Sequence, residues 1–148
     1  LVGENGLQVQ QALQAAPRRL PIIFLTGYGT VPMCVQAMKG GAVDFLQKPV
    51  DEDALQAAIA TALAQDARTR DSQQHHAKLH QRVATLTPRE RDVMGLVIRG
   101  LLNKEIASTL GTTEKTIKAH RARVMEKMQA TSVAELVRMA AIVGMGEP

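Results

Sequence analysis

The sequence predicts an α/β part followed by an all-α part, and three observations carry that prediction. Two short apolar runs, Pro21–Leu25 (PIIFL) and Ala42–Leu46, alternate with helical segments within residues 1–64. Strands joined by helices pair in parallel through right-handed crossovers. Residues 65–85 are polar, hold neither Gly nor Pro, and favour a helical linker on propensity. Residues 86–148 then show only helical periods, punctuated by Gly100 and Gly111. Hydrophobic residues make up 45% of the 148 and aromatics 2%, so Leu, Ile, Val, Ala and Met must build the core.

From Gly6 to Ala16, Leu7, Val9 and Leu13 recur at helical spacing, and Pro17 ends the helix. The run Pro21–Leu25 suits a parallel strand buried on both faces. Thr26–Gly29 is a turn at its C-terminal end; Thr30 can cap the next helix, Pro32 fits its first turn, and Gly40–Gly41 stop it. Ala42–Leu46 reads as a second strand, closed by Lys48–Pro49. The acidic Asp51, Glu52 and Asp53 open a long Ala-rich helix that continues through the linker. A further helix starts at Pro88 with Thr87 as N-cap and Glu90 at N3, a capping box. Val93, Leu96 and Val97 face its core, and Gly100 stops it. The last helix, about Ser132–Val143, carries Val133, Leu136, Val137 and Ala140 at helical spacing.

Between these lies Asn103–Met128, NKEIASTLGTTEKTIKAHRARVMEKM. With Asn103 as position 1, Ala107 falls at 5, Gly111 at 9 and Ile117 at 15, the spacing of a helix-turn-helix. The small residue lets two helices cross closely, the glycine takes a left-handed turn, and the branched residue fills the angle between them. Thr113 can cap the second helix, with Glu114 in its first turn. That helix, read over Glu114–Gln129, carries Lys115, Lys118, His120, Arg121, Arg123 and Lys127 against Glu114 and Glu126. A basic helix behind a tight turn is what a major-groove reader needs. The alternative is an ordinary helical hairpin with a solvated basic face.

Charge agrees with the first reading. Residues 1–64 hold four Lys/Arg and five Asp/Glu, while residues 87–148 hold ten and seven. The basic excess therefore lies toward the C-terminal part, as a nucleic-acid partner requires. Cys34 is alone, which excludes an internal disulfide and a cysteine metal cluster. His76 and His80, four apart, would share a helix face, but two ligands make a poor metal site and a solvated helix explains them as well. A secretory signal and an apolar run of about 20 residues are both lacking, so a cytoplasmic, non-membrane protein is expected. The first residue is Leu, and a fragment is expected. At the carboxyl ends of the two strands stand Thr26 and Lys48, a hydroxyl and an ammonium able to hold a phosphoryl group, though both residue types are commonplace there.

The segments LTPRERDVMGLVIRGLLNKEIA and KTIKAHRARVMEKMQATSVAELV closely resemble the four-helix, LuxR-type DNA-binding domain of NarL/FixJ response regulators, over roughly Leu86–Ala141. The matching residues include Thr87, Glu90, Gly100, Asn103, Lys104, Ile106, Ala107, Thr116, Ile117, Lys118, His120 and Lys127. FLTGYGTVPMCVQAMKGGAVDFLQKPV is very similar to the second half of a FixJ-type receiver domain, which implies a flavodoxin-like parallel sheet lacking its first three strands. The resemblance matches Thr26 to the hydroxyl residue, Gly27 to the small residue whose N–H meets the phosphoryl group, Phe45 to the aromatic switch and Lys48 to the phosphoryl-contacting lysine. It also implies a cis Lys48–Pro49 bond. LVGENGL, Leu1–Leu7, matches the loop just after the phosphoacceptor aspartate. That aspartate and the acidic pair for Mg²⁺ are therefore expected upstream of Leu1, and Asp44, Asp51, Glu52 and Asp53 do not match their positions.

By the same resemblance, base contacts come from Lys118, Ala119 and Ala122, where the family often has Lys at the last; Ala122 departs from that, so apolar contact is expected there, with Arg121 or Arg123 expected to compensate from a neighbouring face. Phosphate contacts fall to Lys104, Thr113, Lys115, Thr116 and Lys127. The implied partners are double-stranded promoter DNA, a sensor histidine kinase, RNA polymerase and a second copy on DNA, packed through the last helix. The expectation is a phosphorylation-controlled transcriptional regulator and not an enzyme. A phosphate-handling α/β enzyme would need a nucleophile or Gly-rich loop, and neither GxSxG nor GxxxxGK[ST] is present. A protein-interaction module with a degenerate helix-turn-helix is the third alternative, separated from the first by salt-dependent duplex binding.

Overall fold

A computed structural model of the chain describes residues 5–145. They form two compact units divided between Asp71 and Ser72. In the first, α1 (Gly6–Ala15) is opened by Asn5. The Asn5 carboxamide oxygen accepts the Gln8 N–H at 3.0 Å, and the Gln8 side-chain oxygen accepts the Asn5 N–H at 3.0 Å. This reciprocal cap satisfies two donors that a helix start leaves free. Leu1–Glu4, most of the segment matched to the phosphoacceptor loop, lie outside the described residues; Gly6 and Leu7 belong to α1.

Of the apolar residues at helical spacing on α1, Leu7 and Val9 are half-buried, yet the fully buried residue is polar. Gln10 is buried while Leu13 is exposed. The cause is a polar requirement: the Gln10 amide donates at 2.8 Å to the Ala37 carbonyl on α2 (Val31–Lys39). A Cβ at Gly40 would stand 2.7 Å from the Gln10 side-chain oxygen, so the glycine at the end of α2 is what admits it.

β1 (Ile23–Thr26) and β2 (Asp44–Gln47) pair in parallel, with Ile23 opposite Asp44 and Thr26 opposite Gln47. Both strands sit one or two residues later than the sequence suggested. Pro21 has no N–H to donate. The Ala42 N–H closes the end of α2 by donating to Ala37 O at 3.1 Å, so the first N–H offered across the sheet is that of Val43, to Ile22 O at 2.7 Å. The expected burial of the first strand on both faces also fails, because Leu25 is exposed. Among the described residues the sheet has two strands, and β1 has a neighbour on one side only. Such an edge leaves backbone groups unpaired.

α3 (Glu52–Ala84) is one unbroken helix of 33 residues. Asp51 accepts the Ala54 N–H at 2.9 Å, and Glu52 and Asp53 face the positive end of the dipole. The second unit contains the end of α3 and four helices: α4 (Pro88–Ile98), α5 (Asn103–Leu110), α6 (Glu114–Met128) and α7 (Val133–Ile142). One core joins them, built from Leu79, Leu86, Val93, Met94, Val97, Ile106, Ala107, Ile117, Val124, Met128, Leu136, Met139 and Ala140. It holds no aromatic ring, as composition required. Val137 is exposed, whereas Leu136 and Ala140 carry the buried face of α7.

Candidate nucleic-acid interface

The turn between α5 and α6 is set by backbone geometry. Gly111 is left-handed, at φ 63° and ψ 42°, and the Thr112 N–H reaches back to Ala107 O at 2.9 Å. Thr113 then caps α6, its hydroxyl accepting the Thr116 N–H at 3.2 Å. Ala107 and Ile117 are buried at the crossing, in the places that the spacing assigned them.

One face of α6 is anchored by Ile117, Val124 and Met128, all essentially without solvent contact. The opposite side is open. Lys115, Lys118, Ala119 and Ala122 follow one another at i, i+3, i+4 and i+7, and all are exposed. Thr113, Thr116, Arg123 and, on α5, Lys104 are exposed as well.

Two basic residues expected on this surface have other partners. Arg121 is half-buried, and its guanidinium donates at 3.0 Å to the Asn103 side-chain oxygen, tying α6 to the start of α5. Lys127 reaches the other way: its ammonium lies 2.7 Å from Glu90 Oε2 and 3.1 Å from Thr85 O. Glu90 is 2% exposed, and the same carboxylate oxygen accepts the Thr87 N–H at 2.9 Å. The Lys127 ammonium first, and the Thr87 N–H second, hold the Glu90 carboxyl below the usual carboxylate range. The Lys127 position thus serves the capping box of α4.

Sequence reasoning missed the residues that close the helix ends. Arg89 donates at 2.6 Å to Leu110 O, the last carbonyl of α5. Arg82 donates to Met128 O at 3.2 Å and to the Gln129 side-chain oxygen at 2.7 Å, at the end of α6. C-terminal carbonyls lack intrahelical partners, so an arginine within reach is a natural cap. An arginine in sequence does not reveal whether its fork will face phosphate or protein. Glu135 accepts from the Thr131 hydroxyl and N–H, each at 2.7 Å, which lowers its pKa and orders the turn into α7. Nδ1 of His120 is buried without a protein hydrogen bond.

In the first unit, Thr26 and Lys48 stand at the carboxyl rim of the sheet, joined by a 2.7 Å bond from the Lys48 N–H to Thr26 O. The Thr26 hydroxyl accepts the Tyr28 N–H at 3.2 Å, the Lys48 side chain is exposed, and the Lys48–Pro49 bond is cis. Phe45 is half-buried against Phe24, ring centroids 6.0 Å apart. Gly27 is exposed. Gly29 was not singled out from sequence, yet a Cβ there would stand 2.7 Å from the Thr26 methyl and 2.8 Å from the Phe45 ring. His76 and His80 are exposed on α3, and among the described residues no three His, Cys, Asp or Glu side chains are grouped to hold a metal ion.

Residues 84–140 match the luxR family of bacterial regulatory proteins, and residues 1–60 match the response regulator receiver domain. Transcriptional regulatory protein FixJ of Bradyrhizobium diazoefficiens is 45% identical over 143 residues, 97% of this chain and 70% of that protein. The chain belongs to the NarL/FixJ response regulators. Nodulation protein W of the same organism is 46% identical over 144 residues; they are 97% of this chain but 63% of that protein, so the chain spans less than two thirds of its length. The solved structure of response regulator StyR superposes with a TM-score of 0.84 at 42% identity, covering 95% of this chain and 71% of StyR. The turn between α5 and α6 lies within the luxR-family match, and Thr26 and Lys48 lie within the receiver match. No helix among the described residues is long and apolar enough to cross a membrane.

Proposed function

We propose that the chain belongs to a two-component transcriptional regulator that reads double-stranded promoter DNA with α6 under control of receiver phosphorylation. The observation that carries this is the exposed stripe Lys115, Lys118, Ala119 and Ala122 on a helix whose opposite face is fully buried. Lys118, Ala119 and Ala122 face base edges, Ala122 by apolar contact of the kind a thymine methyl offers. Lys104, Thr113, Lys115, Thr116 and Arg123 meet phosphates and set the register. Arg121 and Lys127 serve the fold instead, because their cationic groups already hold Asn103 and Glu90.

In the receiver, Thr26, the Gly27 N–H and Lys48 contact the phosphoryl group, and Phe45 follows its state. Mg²⁺ prefers carboxylate and water oxygens. The hydroxyl and ammonium at this rim suit a phosphoryl group rather than that ion, so no step through magnesium is assigned to these residues. The remaining partners in this reading are a sensor histidine kinase, RNA polymerase and a second copy on DNA, in the cytoplasm.

The test is duplex binding by fluorescence anisotropy at several salt concentrations, using a duplex selected from a random pool and a scrambled one. The reading requires affinity that falls log-linearly with salt and a clear preference for the selected duplex. Salt-independent or absent binding refutes it.

A further inference from the structure

The end of α3 is tied to the end of α6 from both sides. Arg82, half-buried on the last turn of α3, donates to Met128 O and to the Gln129 side chain. In return Lys127, one residue before Met128, donates to Thr85 O just beyond α3. The intervening turn is itself closed, with the Thr85 hydroxyl donating to Arg82 O at 2.6 Å and the Leu86 N–H to Val83 O at 3.1 Å. Leu79, one turn earlier, is completely buried in the same core as Val124 and Met128.

The receiving end of α6 needs this support. Gln129 is the one non-glycine described residue with positive φ, at 54°. A left-handed residue with a side chain costs about 1 kcal/mol or more and persists where its surroundings hold it. The Gln129 and Ala130 N–H groups close the carbonyls of Glu126 and Met125. That leaves the Met128 carbonyl for Arg82, whose planar fork spans both this oxygen and the Gln129 amide.

We propose that Arg82 is a positioning residue for duplex binding: it fixes the C-terminal end of the reading helix to α3, so the order of the last turns of α3 sets how α6 is presented. Arg82 contacts no DNA in this scheme. The proposal rests on the DNA-reading function of α6. It makes α3 more than a tether, because unwinding it near Ala84 withdraws the guanidinium from α6 and loosens the reader.

The test compares the full chain with Arg82→Gln, Arg82→Lys and Gln129→Ala. Affinity is measured for the selected and scrambled duplexes across a salt series, with amide hydrogen exchange at Gln129 and Ala130. Arg82→Gln should weaken binding to the selected duplex about tenfold. It should narrow the preference over the scrambled duplex, leave the salt slope unchanged and speed exchange at both amides. Arg82→Lys, which can still reach Met128 O, should recover part of both effects, and Gln129→Ala should mimic them weakly. Equal losses on both duplexes with a salt slope smaller by about one would make Arg82 a phosphate contact and overturn the proposal. Faster exchange with unchanged affinity would reduce it to a local cap, also an overturning result. Should Arg82→Gln fail to fold, the same criteria apply to Arg82→Lys and Gln129→Ala. A wild-type chain that binds no duplex refutes the DNA reading itself, and the proposal with it.

Discussion

Replacing Lys127 by Ala removes the basic side chain paired with Glu90, a carboxylate that is 2% exposed. Breaking a buried pair from one side costs about 3–5 kcal/mol when the remaining charge is stranded. Here Glu90 keeps the Thr87 N–H, and the Lys127 side chain is itself 32% exposed. Both features place the expected loss below that range, at about 2–3 kcal/mol. For a unit of 60–100 residues this lowers Tm by roughly 10–20 °C. The assay is thermal and urea unfolding followed by circular dichroism, alongside duplex titrations across salt at a temperature where the variant is folded. A Lys127→Met, Glu90→Leu pair should recover part of the loss, since no charge is then stranded. The salt slope should stay at its wild-type value. Were Lys127→Ala as stable as wild type with a slope reduced by about one, the ammonium would be a phosphate contact, and the structural assignment of Lys127 would be wrong.

Lys118→Ala should cost about 1–3 kcal/mol on the selected duplex and relax base choice at one position, measured against single-base variants of that duplex; unchanged affinity and specificity would remove α6 as the reader. Gly111→Ala meets no neighbour within 4 Å, so its cost is backbone strain alone, about 1–2 kcal/mol in urea unfolding, and a neutral result would contradict the left-handed turn. Glu90 and Glu135 both have lowered carboxyl pKa values. Their stabilisation is therefore complete above the ordinary value of 4.5 and is lost as pH falls through the depressed folded values. Unfolding titrations should show wild type losing stability below that pH, with a flatter profile for Glu90→Gln.

Local rules were sufficient for much of this molecule. The Thr87–Glu90 box, the Thr113 cap and the Gly111 turn depend on residues within a few positions of one another, and the α5–α6 crossing on Ala107 and Ile117 within one short motif. Spacing therefore reveals them, and the structure has each in place. The parallel pairing of β1 and β2 also follows from chain order, because a helix between two strands leaves little alternative. What sequence could not decide is where a long flexible cation ends. Arg82, Arg89, Arg121 and Lys127 each find a carbonyl, amide oxygen or carboxylate 18 to 47 residues away. Those acceptors come within reach only when the helices pack. The charge pattern counts Arg121 and Lys127 in the basic face of α6; packing gives both a protein partner and leaves Lys115 and Lys118 exposed. Gln10 shows the same principle in reverse: the Ala37 carbonyl, presented by α2, draws a polar side chain into a buried position on a helix whose Leu13 is exposed.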